Sequence, residues 1–285
     1  MSHVPGFEVF AINGGRFRMD GGCMFGVIPK LLWDRKTPAD ENNRIRMQST
    51  CVVVKTDTQT VLMDTGYGAK HGERFQKNHV LSQPMSLLQE LEAIDVHPEQ
   101  VDIVILSHLH FDHAGGCTYR TDDGNLRPQF PNARHLIHQF EWEDAMSDRR
   151  DLVGAYFSDD LLPLDKAGLV DLVEDGHEVL PGITLQHTGG HTRGHQIAHI
   201  QTADQHYAFL SDFCPTAAHL PPYWTLSYDT DYLHLRRTKP IVLSELADNN
   251  AIAIFGHDPI HTAARIARDE RQGFVVSEVV DVAGR

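Results

Sequence analysis

Apolar positions along the chain gather into short unbroken runs, and several of those runs end in a histidine or an acid. Residues 101–106 (VDIVIL), 207–210 (YAFL) and 251–255 (AIAIF) are too short for independent helices. They are rich in β-branched or aromatic side chains, which predicts buried strands. Similar runs predict strands at 7–12, 50–55, 61–63, 134–138, 183–187 and 196–200. The turn Asp57-Thr58-Gln59 between two of them predicts a hairpin. Helical spacing is expected over 85–94, behind Ser82 and Pro84, and over a shorter piece at 141–149. A long helix is expected over 230–249, where Pro240 should begin or kink it. Residues 16–47, with their glycines, prolines and charges, predict a loop that wraps or lids a pocket. Strands and hairpins interleaved with helices imply a layered α/β fold with helices on the outer faces.

The chemistry sits where the runs stop. HLHFDH at 108–113 places His108, His110, Asp112 and His113 directly after the apolar run 101–106. In an extended stretch His108 and His110 point the same way, because side chains alternate with period two. A turn at Phe111 and Asp112, followed by Ala114-Gly115-Gly116, would bend Asp112 and His113 towards a neighbouring position, so one loop could serve two metal ions. TGGHTRGH at 188–195 follows the run 183–187 and offers His191, with His195 behind it. Asp212 closes a third run and His257 a fourth. Imidazole suits zinc, iron and nickel, while carboxylates suit harder ions and bridge pairs of ions; the donor types leave zinc, iron and manganese open. The chain has 19 histidines, so a single one usually means surface or satisfied core; His3, His71, His79, His97 and His234 are read that way.

HLHFDH, then GGHTRGH, then the strand-terminal Asp212, then Gly256-His257-Asp258 together resemble the metallo-β-lactamase superfamily over most of the chain. The resemblance implies an αββα sandwich with the metals at one edge, and a single domain over 1–285. It implies a first metal on His108, His110 and His191, a second on Asp112, His113 and His257, and Asp212 bridging them. Two divalent ions roughly 3.5–4 Å apart share a water and lower its pKa to about 7, and they polarise a carbonyl or phosphoryl oxygen. A dinuclear hydrolase is therefore expected, with zinc as the first choice of ion and iron or manganese as alternatives. Asp112 would also pass a proton during turnover. His195, Asp258 and His261 are candidates for orienting the imidazoles.

The stretches DGGCMFGVIPKLLWDRKTPADENNRI and DFCPTAAHLPPYW resemble the branch containing N-acyl-homoserine lactonases and organophosphate hydrolases. An N-acyl-homoserine lactone is the substrate this implies, with a phosphotriester or aryl ester next and a glyoxalase-type thioester after that. A metal-stabilised binding protein is the non-enzymatic alternative. Met24, Phe25, Ile28, Leu31, Leu32 and Trp33 would form an apolar wall for an acyl chain, or pack on the sandwich or on a second copy in a homodimer. Some lactonases of this branch place a tyrosine soon after the bridging acid to hydrogen-bond the substrate carbonyl. Here Phe213 and Cys214 follow Asp212, so Tyr223 or His219 from the next loop is the candidate donor. A β-lactamase of the commonest type would carry a cysteine ligand, and a diiron reductase a glutamate where His110 stands.

Composition narrows the partners. A net charge of −14 argues against broad contact with nucleic acid, although the superfamily includes nucleases. No apolar stretch reaches the roughly 18 residues that span a bilayer. The first residues lack the basic start and apolar run of a secretory signal, so the cytoplasm is the expected location. Cys23, Cys51, Cys117 and Cys214 show no CxxC spacing and fit reduced thiols.

Overall fold

The run MQSTCVVV has no polar face to give to water, and the fold buries it on both sides. In the computed structural model, which describes residues 6–83, 86–152 and 156–283, this run belongs to the strand Arg44–Lys55, second in a six-stranded sheet. His3, Pro84 and Met85 lie outside the described residues. The sheet order is Glu8–Asp20, Arg44–Lys55, Thr60–Met63, Ile103–Ile105, Arg134–His138, Val170–Val173. The first two pairings are antiparallel, the first of them the long hairpin and the second the one predicted at Asp57-Thr58-Gln59; the remaining three are parallel.

A second sheet of seven strands runs Gly273–Val279, Ala263–Asp269, Ile252–Phe255, His206–Ser211, Gln196–Gln201, Ile183–His187, Glu178–Leu180. Between the sheets, Val52, Val54, Val61 and Ile105 meet Leu185, Ile200, Phe209 and Ile254. The outer face of the first sheet is covered by Leu87 and Leu91 of the helix Ser86–Ala93 and by Leu161 and Leu164 of the helix Ser158–Lys166. Leu235, Val242, Leu243 and Leu246 of the helix Tyr232–Asp248 cover the second sheet. The result is the αββα sandwich that the motifs implied.

The long helix starts where Asp231 caps it, its carboxylate accepting from the His234 N–H at 2.8 Å, and it continues through Pro240. Residues 16–47 are not a loop throughout. The strand Glu8–Asp20 extends into the segment and Arg44–Lys55 begins within it, with the short helices Gly21–Phe25 and Lys30–Trp33 between. At both strand ends arginines alternate with apolar residues, Arg16 and Arg18 around Phe17 and Arg44 and Arg46 around Ile45, with the apolar side chains buried. The apolar residues of the segment make their own small core: Met24, Phe25 and Trp33 are buried against Phe17, Ile45, Met47, Tyr67 and Leu226. Their burial removes them from a substrate-facing wall, whereas Leu31 and Leu32 are exposed. Among the described residues no helix is long and apolar enough to cross a membrane, and the four cysteines are free thiols.

Candidate metal centre

Four strand ends meet at one edge of the sandwich. His108 and His110 leave the C-terminal end of Ile103–Ile105, and a single helical turn, Phe111–Ala114, carries Asp112 and His113. The turn is closed by the His113 and Ala114 N–H groups donating to the His110 carbonyl at 3.0 and 2.9 Å. Gly116 lets this loop lie flat on its neighbour, since a Cβ there would sit 2.0 Å from the Thr65 carbonyl oxygen. His191 follows Ile183–His187. Asp212 and His257 end two adjacent parallel strands, His206–Ser211 and Ile252–Phe255, and so emerge side by side.

The seven side chains named from the sequence form two donor groups: His108, His110, His191 and Asp212 in one, Asp112, His113 and His257 in the other. In the first, His110 Nδ1 lies 3.0 Å from His108 Nε2 and 3.1 Å from His191 Nε2. In the second, His113 Nε2 and His257 Nε2 are 3.1 Å apart, with Asp112 oxygens 3.8 and 3.5 Å from them. Asp212 stands between the groups: its Oδ2 is 3.2 Å from His191 Nε2, and its Oδ1 is 2.8 Å from His257 Nε2. Converging imidazole nitrogens beside carboxylates are a donor set that suits a metal ion. Asp212 Oδ1 is buried and accepts no well-aligned hydrogen bond among the described residues; its near neighbours are the His257 and His113 ring nitrogens, which fits a donor reserved for a metal.

The histidines are held from behind. His113 Nδ1–H donates to Asp64 Oδ2 at 2.7 Å, His191 Nδ1–H to Asp229 Oδ1 at 2.8 Å, and His257 Nδ1–H to the Gln48 carbonyl at 2.9 Å. His108 Nδ1 is 3.1 Å from Ser107 Oγ. These contacts leave the opposite ring nitrogen free to face the centre, the usual arrangement behind metal-binding imidazoles. Asp64 also accepts from the Ser107 N–H and hydroxyl, both at 2.8 Å. Asp64 and Ser211, which also donates to it, both have left-handed backbone (φ 56° and 45°), a strain that non-glycine residues tolerate at functional sites.

Charge is balanced locally. Burial opposes ionisation of Asp212, yet the imidazoles of His257, His191 and His113 outweigh it and hold its carboxyl far below the usual range. Burial likewise opposes protonation of His113, but Asp112, Asp212 and Asp64 raise it. His108 and His110 are driven the other way, first by burial and then by the neighbouring imidazoles, and stay neutral and free to donate a lone pair.

The remaining candidates separate. His219 is not a carbonyl donor: its ring stacks on Phe25 at 4.6 Å, Nε2–H donates to the Met24 carbonyl at 2.7 Å, and Nδ1 bonds Thr216 Oγ1. Burial pushes it down to about 3, so it is a neutral strut. Tyr223 is 70% exposed. Tyr228, five residues on, lies beside the centre, its ring 5.6 Å from that of His191 and 6.4 Å from that of His110; the Tyr156 ring is 6.0 Å from that of His110. Tyr228 keeps about a third of its surface exposed (36%), but the desolvation of its hydroxyl and the charges of Asp212 and Asp112 raise the pKa of its phenol and keep it protonated; the hydroxyl is 3.3 Å from Met24 Sδ. Its loop is anchored by the buried Lys239, whose Nζ donates to the His219 and Trp224 carbonyls. His195 packs near His108 and bonds Thr188 through Nδ1. Asp258 and His261 do not touch the imidazoles; Asp258 instead caps its own loop through the Ile260 and His261 N–H groups and accepts from Ala217 N–H.

Two of the residues that brace the site, Asp229 and Glu141, carry no local signal in the sequence. Asp64 does: it closes the apolar run Val61-Leu62-Met63 as Asp212 closes its own.

A sequence profile of the metallo-beta-lactamase superfamily matches residues 44–257, a span that contains every one of these ligands. The chain belongs to that superfamily. It is a metal-dependent hydrolase. An N-acyl homoserine lactonase of Bacillus cereus is 27% identical over 230 residues, covering 76% of this chain and 83% of that protein. The N-acyl homoserine lactonase AiiB of Rhizobium rhizogenes is 25% identical, with 89% and 94% of the two chains covered. Among solved structures, a probable metal-dependent hydrolase from Staphylococcus aureus superposes with a TM-score of 0.87 at 28% identity, over 98% of this chain and 99% of that one.

Proposed function

We propose that this superfamily member is a dinuclear lactonase, opening the ring of an N-acyl-homoserine lactone on two zinc ions. One observation carries the reading: the two oxygens of Asp212 face different donor groups, 3.2 Å from His191 on one side and 2.8 Å from His257 on the other. His108, His110 and His191 would hold one ion, Asp112, His113 and His257 the other. Bound there, the pair supplies a hydroxide at neutral pH and polarises the substrate carbonyl.

The chain's own residues then divide the work. The Tyr228 hydroxyl, kept protonated, donates to the oxygen that gains charge as the carbonyl is attacked. Asp112, the carboxylate of the second donor group, takes the proton of the attacking water and returns it to the leaving alkoxide. Asp64, Asp229 and the Gln48 carbonyl keep the imidazoles aimed. A cavity of about 960 Å³ lies beside Phe17, whose ring meets that of His257 edge-on at 5.5 Å, but none of the candidate ligands lines it. Relatives that are lactonases over most of their length support the choice of a lactone over a phosphotriester.

Turnover of a long-chain acyl-homoserine lactone, followed by the proton it releases, tests this against turnover of an aryl phosphotriester. The lactone should be the faster substrate by kcat/KM. A phosphotriester turned over faster, with the lactone untouched, would sink the assignment.

A further inference from the structure

Glu141 is a buried carboxylate outside the ligand set, on the helix Gln139–Ala145 that packs under the centre. Its two oxygens reach two loops that are far apart in sequence. Oε1 accepts the Leu109 N–H at 2.9 Å, between His108 and His110. Oε2 accepts the Thr192 hydroxyl at 2.6 Å and the Gly194 N–H at 3.2 Å, immediately after His191. The Tyr156 hydroxyl is a further partner, and the Tyr156 backbone forms an isolated bridge with that of His110. The approach is tight enough to require the glycine: a Cβ on Gly194 would lie 2.2 Å from the Glu141 nitrogen. Arg193 ties the same loop to the same helix through Asp144 and Glu143.

We infer that Glu141 is the positioning residue of the first donor group, locking the His108–His110 loop to the His191 loop so that three imidazole nitrogens converge on one ion. The inference rests on the metal-centre reading above. An ion held by His108, His110 and His191 needs two loops, 81 residues apart, at a fixed separation. No hydrogen bond from Glu141 reaches Asp112, His113 or His257. The second group has its own clamp, in which Asp64 holds His113 and Gln48 holds His257. The bonds of Glu141 go to the loops of the first group, and the two clamps meet at Ser107, which bonds both Asp64 and His108 Nδ1. Removing Glu141 should loosen one half and spare the other, with a loss of the size seen when partners behind metal ligands are removed, about 10–100-fold in affinity.

The test measures zinc affinity by competition with a chromogenic chelator, in two backgrounds. His257→Ala leaves the first donor group alone, and His110→Ala cripples it. Adding Glu141→Ala to the His257→Ala chain should weaken zinc binding about 10–100-fold, and Glu141→Gln should recover part of the loss. Adding it to the His110→Ala chain should leave affinity unchanged. Cobalt substitution gives a second readout: the visible absorption of the ion in the His257→Ala chain should shift with Glu141→Ala. Unchanged affinity in the His257→Ala background, or an equal loss in both, overturns the inference. If Glu141→Ala does not fold, Thr192→Val removes a single donor and decides: several-fold weaker zinc in the first group supports the clamp, unchanged affinity overturns it. A wild-type chain that takes up no zinc overturns the metal-centre reading as well, whereas zinc uptake indifferent to Glu141 overturns the clamp alone.

Discussion

Asp112 and Tyr228 show how much of the centre a single residue carries. Asp112 sits on the one-turn helix with its oxygens 3.8 and 3.5 Å from the two imidazoles of the second donor group. Asp112→Asn keeps the shape and removes the base, so hydrolysis should fall by about 10²–10⁴-fold while the unfolding midpoint stays put; near-normal turnover would take Asp112 out of the mechanism. Tyr228→Phe deletes a hydroxyl whose one hydrogen bond among the described residues goes to Met24 Sδ, so the fold should be unaffected. Its kcat should drop by about 10–100-fold, whereas Tyr223→Phe should change nothing. A reversed pair of results would put the carbonyl donor on the exposed tyrosine. At this scale the candidate ligands were legible because they cluster after four apolar runs, four of them after the run 101–106 alone. Asp229 was not: it meets His191 from 38 positions away and precedes no pattern that marks it. Tyr228 was overlooked for a nearer tyrosine, because distance along a loop says little about which side chain folds back.

At the level of elements, the centre depends on loops that lie against one another with no room for a side chain. Gly116→Ala would force a Cβ to within 2.0 Å of the Thr65 carbonyl, against backbone that cannot move aside without shifting Asp64 and His113. It should destabilise the chain by about 1–3 kcal/mol, read as a lower urea midpoint; an unchanged midpoint would mean that the loop yields freely. The core strands were readable from short β-branched runs, and the hairpin at Asp57-Thr58-Gln59 from its turn. The last hairpin, Ala263–Asp269 with Gly273–Val279, was missed because its exposed positions are charged and its buried ones are few. The strand ends inside 16–47 do carry the strand alternation, Arg16, Arg18, Arg44 and Arg46 against the inward Phe17, Ile45 and Met47, but each stretch is short and lies beside the glycines and prolines of the segment.

For the whole molecule, layer order and charge decide the response to conditions. Two histidines remote from the ligands, His135 and His199, are held neutral by burial, which pushes each down to about 4. Unfolded, each would take a proton near its ordinary value of about 6.5. Between those values the unfolded chain binds more protons than the folded one. Stability is therefore full above about pH 6.5 and is lost as pH falls towards 4, by at most about 1.4 kcal/mol per pH unit for each histidine. Urea midpoints of the metal-free protein at pH 7.5 and 5 should show the drop, and His199→Gln should reduce it. An equal drop in that variant would assign the effect elsewhere.

The central claim is that Asp212 joins two occupied metal positions, and metal content tests it most directly. Protein loaded with zinc and dialysed against metal-free buffer should retain two ions per chain by elemental analysis, and His257→Ala should retain one. A wild-type value of one ion per chain would contradict the shared carboxylate and the hydroxide held between two ions.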